Sequence, residues 1–180
     1  MTFAPIRTER LELRLLTDAD REWLVSVYSQ PEVGRFIPAG PWTADISEAE
    51  ISKRMNRRGF DTEQGAVSLM VLHEGERVAE VMCWFTDRDH RVAEIGWAGD
   101  PAHAGQGFVT EAATALLDYV FSEVRMHRVA AIIDPRNVPS MRVAERIGMR
   151  LEGHLREAEW MRGEWCDTLI YGKLASDQNV

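Results

Sequence analysis

Two glycines one residue apart, Gly105-Gln106-Gly107, sit where a strand-like run gives way to a helical one. Residues 91–99 (RVAEIGWAG) read as the strand, and after the glycines Phe108, Ala112, Leu116 and Tyr119 recur at near-helical spacing. A helix N-terminus leaves its first backbone N–H groups without partners, and a glycine turn aims them at one small volume. Glycine also lets an anion approach the backbone closely. The helix dipole adds partial positive charge. A phosphate is therefore the natural occupant of a cradle formed by Ala104, Gly105, Gln106, Gly107, Phe108 and Val109.

An ordinary strand–helix connection uses the same residues, and the glycine pair alone does not separate the two readings. It does exclude two nucleotide-binding signatures. The dinucleotide fingerprint needs a third glycine where Thr110 stands, and the Gly-Lys-Ser/Thr of an NTPase phosphate loop is absent. Main-chain amides and the dipole have to do the holding.

The elements that position this turn follow from periodicity. Residues 7–16 alternate Leu11, Leu13 and Leu15 against charged neighbours, a half-buried strand. Thr17-Asp18 offers an N-cap for a helix through Tyr28. Residues 31–41, punctuated by Pro and Gly, read as loop. A second helix is expected over 45–58, ended by a flexible GFDTEQG segment. Runs 66–72, 78–85 and 92–98 form an antiparallel meander leading into the glycine turn. Residues 128–134 (RVAAIID) have the low polarity of a strand buried on both faces. A helix over 137–147 is capped by Asn137 and stopped by Gly148. Two strands, 150–157 and 164–174, turn at Arg162-Gly163, and the tail from 175 is expected to fray. The order β-α-α-β-β-β-α-β-α-β-β predicts one mixed α/β domain over 1–180.

Composition limits the partners. A net charge of −8 argues against nucleic acid, whose phosphates need a basic face. No run of roughly 18 uncharged apolar residues is present to span a membrane, and the charged N-terminus lacks the apolar core of a signal peptide. Two cysteines, Cys83 and Cys166, form neither a disulfide framework nor a metal site. A cytoplasmic location is the expectation.

Three segments taken together are more specific than the glycine pair. TERLELRLLTDAD, AEIGWAGDPAHAGQGFVTEA and NVPSMRVAERIGMRLEGHLRE stand in one order over nearly the whole chain. The chain resembles GNAT-superfamily acetyltransferases of the RimJ/RimL type: the first segment is similar to that type's opening strand and helix cap, the second to its fourth strand and acetyl-CoA phosphate loop, the third to its Asn-x-x-Ser helix and following strand. The resemblance implies a three-layer fold: a central, mostly antiparallel sheet of about six or seven strands with one splayed parallel pair, flanked by about four helices. It departs from the superfamily loop at Ala102, where Gln or Arg is usual. It also has Ala144 where many relatives place a thiolate-protonating Tyr.

The reaction implied is transfer of an acetyl group from acetyl-CoA to an amine, with no metal. A free amine of pKa about 8 to 10 is mostly protonated at pH 7, so a base or a water chain must take its proton. The resemblance makes Glu94 that base or water-orienter and Ser140 the donor to the departing thiolate. It places Ile95, Trp97 and Ala98 beside pantetheine, Asn137 on the pantetheine arm, and Arg142 and Arg146 near the CoA 3′-phosphate. Trp84 and Trp97 are the acceptor-binding residues, with the 36–42 loop and Trp160 as further walls; His103 and His154 are alternative bases. Trp97-Ala98-Gly99 is read as an irregularity that splays the strand from its neighbour. The acceptor (protein N-terminal α-amine, polyamine or other small amine), the acyl chain and a homodimer stay open, as does a non-catalytic acyl-CoA-binding module.

Overall fold

The computed structural model describes residues 3–179. Thr8 breaks the first expected strand in two. Its N–H bonds the Leu11 carbonyl at 3.0 Å and its Oγ1 accepts from the Leu11 N–H at 2.9 Å. The chain therefore doubles back, and β1 (Ile6–Arg7) pairs antiparallel with β2 (Leu11–Leu15). A 3-10 turn, Asp18–Asp20, leads into α1 (Arg21–Tyr28). The expected loop over 31–41 contains a short helix, α2 (Pro31–Gly34), because Pro31 at its start has the helical φ preset. The next helix, α3 (Ala44–Met55), stops before 58, since β3 (Arg58–Gly59) pairs with residues 66–67 instead. The GFDTEQG segment is pinned rather than flexible: Thr62 Oγ1 donates to the Gly59 carbonyl at 2.7 Å and Arg88 to the Thr62 carbonyl at 2.8 Å.

The meander is present as β4 (Ala66–His73), β5 (Glu76–Asp87) and β6 (Val92–Gly99). After it come α4 (Phe108–Ser122), β7 (Arg128–Ile133), α5 (Val138–Arg146), β8 (Arg150–Met161) and β9 (Glu164–Leu174). Strands run β1-β2-β4-β5-β6-β7-β9-β8 across one sheet, with β3 beside β4. The nine described strands exceed the expectation by the two-residue β1 and β3, and the helices exceed it by α2. At the tail, expected to fray, Ala175–Asn179 forms a 3-10 turn in which the Leu174 N–H bonds Asp177 at 2.9 Å, while Val180 lies outside the described residues.

Two layers of helix cover the sheet. Phe108, Ala112, Leu116 and Leu117 of α4 pack with Val81, Cys83, Ala93 and Ile95 on one face. Leu24, Tyr28 and Ile51 of α1 and α3 pack with Trp42, Met70 and Ala98 on the other. Burying each large apolar side chain contributes about 1.5–3 kcal/mol. Among the described residues no helix is long and apolar enough to cross a membrane.

The parallel pair β6 and β7 is joined only from Val92–Glu94 to Arg128–Ala130. Beyond Glu94 the strands part. The splay does not come from an irregularity at Trp97-Ala98-Gly99: the β5–β6 ladder is continuous from Ala79–Gly99 to Phe85–Ala93. β7 is also not buried on both faces. Its upper half, still paired with β9 but parted from β6, leaves Ile132 41% exposed beside buried Ala131 and Ile133.

Candidate active site

The glycine turn is built as a donor array. Asp100 caps a 3-10 turn by accepting from the Ala102 N–H at 2.9 Å, and the Ala104 N–H bonds the Pro101 carbonyl at 3.1 Å. The chain then bends through Gly105 and Gly107, both left-handed with φ of 78° and 82°, and Gly107 caps α4. Left-handed φ at two positions is what glycine permits and other residues resist. Among the described residues, no backbone N–H from Gly105 to Thr110 bonds a protein acceptor. Six consecutive free donors at a helix N-terminus are of the kind that can hold an anion.

A residue absent from the sequence-based candidates braces this turn. Arg10 donates to the Gln106 carbonyl at 3.3 Å, pairs with Glu111 at 2.6 Å and lies 5.0 Å from the centre of the Phe108 ring. Thr8 Oγ1 holds the other Glu111 oxygen at 2.5 Å. The doubled-back first strand is what brings both residues here, and no local pattern announces that.

A cleft of about 700 Å3 runs from the turn along the parted strands. Ile95, Trp97 and Ala98 of β6, Ala104, Gly105, Gly107, Phe108 and Val109 of the turn, and Asn137, Ser140, Arg142 and Arg146 of α5 all line it. Of the cofactor residues expected from sequence, Gln106 does not line it, its carbonyl being turned to Arg10. The Asn137 Oδ1 accepts from the Ser140 N–H at 3.2 Å, fixing the first turn of α5. At the far end of α5, Gly148 closes a Schellman turn, with the Met149 N–H on the Ala144 carbonyl at 3.0 Å.

Trp97 sits differently from the acceptor role expected of it. Its indole Nε1 donates to the Ser140 Oγ at 3.2 Å, which turns the ring toward α5. With its oxygen engaged as an acceptor, the Ser140 hydroxyl has its hydrogen free for another partner.

Trp84 and Glu94 lie on the opposite face. Cross-strand register there sets Ala66, Trp84 and Glu94 in one row and Ser68, Met82 and Gly96 in the next. A Cβ at Gly96 would sit 3.5 Å from both the Trp84 ring and Met82, and Gly96 itself lines the cleft. Glu94 and Trp84 do not line it; they stand one row, two residues along each strand, from the Met82–Gly96 pair, where the cleft reaches the sheet's other face. Burial pushes the Glu94 carboxyl up to about 7, helped by nearby Glu159 and opposed by Arg57.

Among the other candidates, His103, Phe36 and Ile37 line the cleft. Trp42 is buried, stacked on Tyr28 at 4.4 Å. His154 is held by Asp167 at 2.7 Å outside the cleft, and Trp160 is exposed, edge-on to Trp165 at the β8–β9 turn. Among the described residues, no group of three or more His, Cys, Asp or Glu is placed to hold a metal ion.

Residues 10–150 match the family described as the acetyltransferase (GNAT) domain. The chain belongs to the GNAT acetyltransferase family. YnaD of Bacillus subtilis, described as an uncharacterized N-acetyltransferase, is 30% identical over 174 residues, which is 97% of this chain and 99% of its own. A GNAT-family acetyltransferase structure from Bacillus anthracis is 32% identical with a TM-score of 0.85, covering 96% of this chain and 99% of its own. Mycobacterium smegmatis RimJ, solved in complex with CoA-disulfide, is 25% identical with a TM-score of 0.81, covering 98% and 88%. This GNAT chain is an N-acetyltransferase, and acetyl-CoA is its co-substrate. The residues present fit that substrate: free amides for its phosphates, two arginines on α5 and a cleft between parted strands.

Proposed function

We propose that this enzyme transfers the acetyl group of acetyl-CoA directly to a primary amine, a protein N-terminal α-amine or a small molecule, in the cytoplasm. Two buried free cysteines fit a reducing compartment. The observation that carries the reading is the parting of β6 from β7 beyond Glu94, which opens one cleft to both faces of the sheet. The cradle amides of Gly105 to Val109 hold the pyrophosphate, and Arg142 and Arg146 meet the 3′-phosphate. Ile95, Trp97 and Ala98 flank pantetheine, whose amides reach the Asn137 side-chain Nδ2. The amine enters from the Trp84 side.

In the reaction a C–N bond forms and the thioester C–S bond breaks. Glu94, directly or through a water, takes the ammonium proton before attack, a task suited to a carboxyl held near pH 7. Main-chain N–H groups on the free lip of β6 stabilise the tetrahedral oxyanion. The Ser140 hydroxyl donates to the leaving CoA thiolate. Release of CoA over a panel of amines tests the proposal. Turnover on at least one amine is expected; tight CoA binding with no turnover on any amine contradicts it.

A further inference from the structure

Arg57, between α3 and β3, is partly buried, and among the described residues no carboxylate lies within salt-bridge distance of it. That sets it apart from Arg14, Arg54 and Arg77, each of which meets Asp20, Glu50 or Glu80. Its guanidinium donates to the Met82 sulfur at 3.2 Å and lies 5.1 Å from the centre of the Trp84 ring. A thioether is a weak acceptor, so most of this fork's five donors are unspent. Burial lowers its pKa, as does the neighbouring Arg54 charge.

Its two contacts are the side chains that flank Gly96, where the cleft reaches this face. A second polar group stands beside them. Ser68 is fully buried, its Oγ has no partner, its N–H bonds the Arg57 carbonyl at 3.0 Å, and it is the cross-strand partner of Met82. Glu94 lies in the next row, two residues before Gly96 on the same face of β6. Beside the point where Gly96 lines the cleft, this face of the sheet thus offers a carboxylate for an ammonium group and an unpaired guanidinium fork for an oxyanion. A dicationic amine has no use for the fork and is repelled by it; an amine that also carries a carboxylate uses both ends.

We propose that the acceptor is a small amino acid, its amine facing Glu94 and its carboxylate held by Arg57. This rests on the reading of Glu94 and the Trp84 side as the acceptor entrance. The test uses glycine, β-alanine and γ-aminobutyrate, each beside its carboxamide, with 1,3-diaminopropane as the dicationic arm. Initial rates of CoA release are read for the wild type, Arg57→Gln and Arg57→Lys. At least one amino acid is expected to exceed its carboxamide by at least about tenfold in kcat/KM. Arg57→Gln should bring that ratio below about threefold, and Arg57→Lys should keep part of it. Carboxamides or the diamine matching the acids, an acid preference that survives in Arg57→Gln, or no amino acid acetylated would overturn the proposal. Thermal stabilisation by CoA, followed in the same samples, separates the two levels. Loss of stabilisation defeats the cofactor reading, whereas stabilisation with amine turnover and no acid preference defeats only this one.

Discussion

The Trp97 indole N–H and the Ser140 hydroxyl oxygen, 3.2 Å apart, tie the free lip of β6 to the first turn of α5 across the opened strand pair. The bond leaves the serine hydrogen free, and in the proposed reaction that hydrogen goes to the leaving sulfur. Ser140→Ala should lower kcat by about 10- to 100-fold with the acetyl-CoA KM changed little. Trp97→Phe, which keeps the ring and loses the donor, should give a smaller fall in the same direction. Steady-state kinetics decide it; an unaffected kcat in Ser140→Ala assigns the leaving-group role elsewhere.

In the proposed reaction Glu94 gives the pH dependence its sign. Its carboxyl, held near 7 by burial and by Glu159, acts as a base only when ionised. The kcat/KM profile should therefore rise as pH rises through about 7, and Glu94→Gln should abolish that limb. Stability runs the other way. A folded pKa above the unfolded one means the charge is penalised in the native state, so wild-type stability declines as pH rises through about 7. The melting temperature of Glu94→Gln relative to wild type should accordingly increase between pH 5 and pH 8.

Gly107 has a φ of 82°, and a Cβ there would meet only the Arg10 guanidinium, at an ordinary 3.7 Å. Gly107→Val therefore acts through the backbone, at a cost of about 1–3 kcal/mol of strain, rather than through a clash. The chain should still fold, with the cradle amides misaimed. Acetyl-CoA KM should rise at least about tenfold. The stabilisation that saturating CoA provides, about 2.7 kcal/mol at 100 times its dissociation constant, should largely disappear. An unchanged KM refutes the placement.

Asp20 anchors the entry to α1. It is fully buried and accepts from Arg14 at 2.7 Å, Arg77 at 2.7 Å and the Thr17 N–H at 2.7 Å. Burial alone would raise its pKa, but these donors together hold it well below the usual carboxylate range. Asp20→Ala strands two guanidinium groups and should cost about 3–5 kcal/mol in urea unfolding at pH 7. The stabilisation is present above the ordinary aspartate pKa and is lost as pH falls toward the depressed one, so wild type and variant should converge in strong acid.

The backbone geometry of the candidate cofactor half was legible in the chain because its determinants are local. Gly105, Gly107, Asn137 and Gly148 each answer to backbone geometry within a few residues. The acceptor half was less so. Arg57 reaches Met82 and Trp84 only because β3 folds against β4, and Trp97 meets Ser140 only because β6 and β7 separate after Glu94. Both depend on pairing between distant segments. The break at Thr8 was hidden for a related reason: Leu11, Leu13 and Leu15 keep their alternation on either reading, and the turn is set by hydrogen bonds made at Thr8.

Amide NMR of the 15N-labelled protein with and without CoA tests the central claim most directly. The account predicts that the N–H signals of Gly105 through Thr110 shift most on CoA addition, and that their hydrogen exchange slows as the phosphates engage them. Signals there that neither move nor gain protection while CoA binds would contradict it.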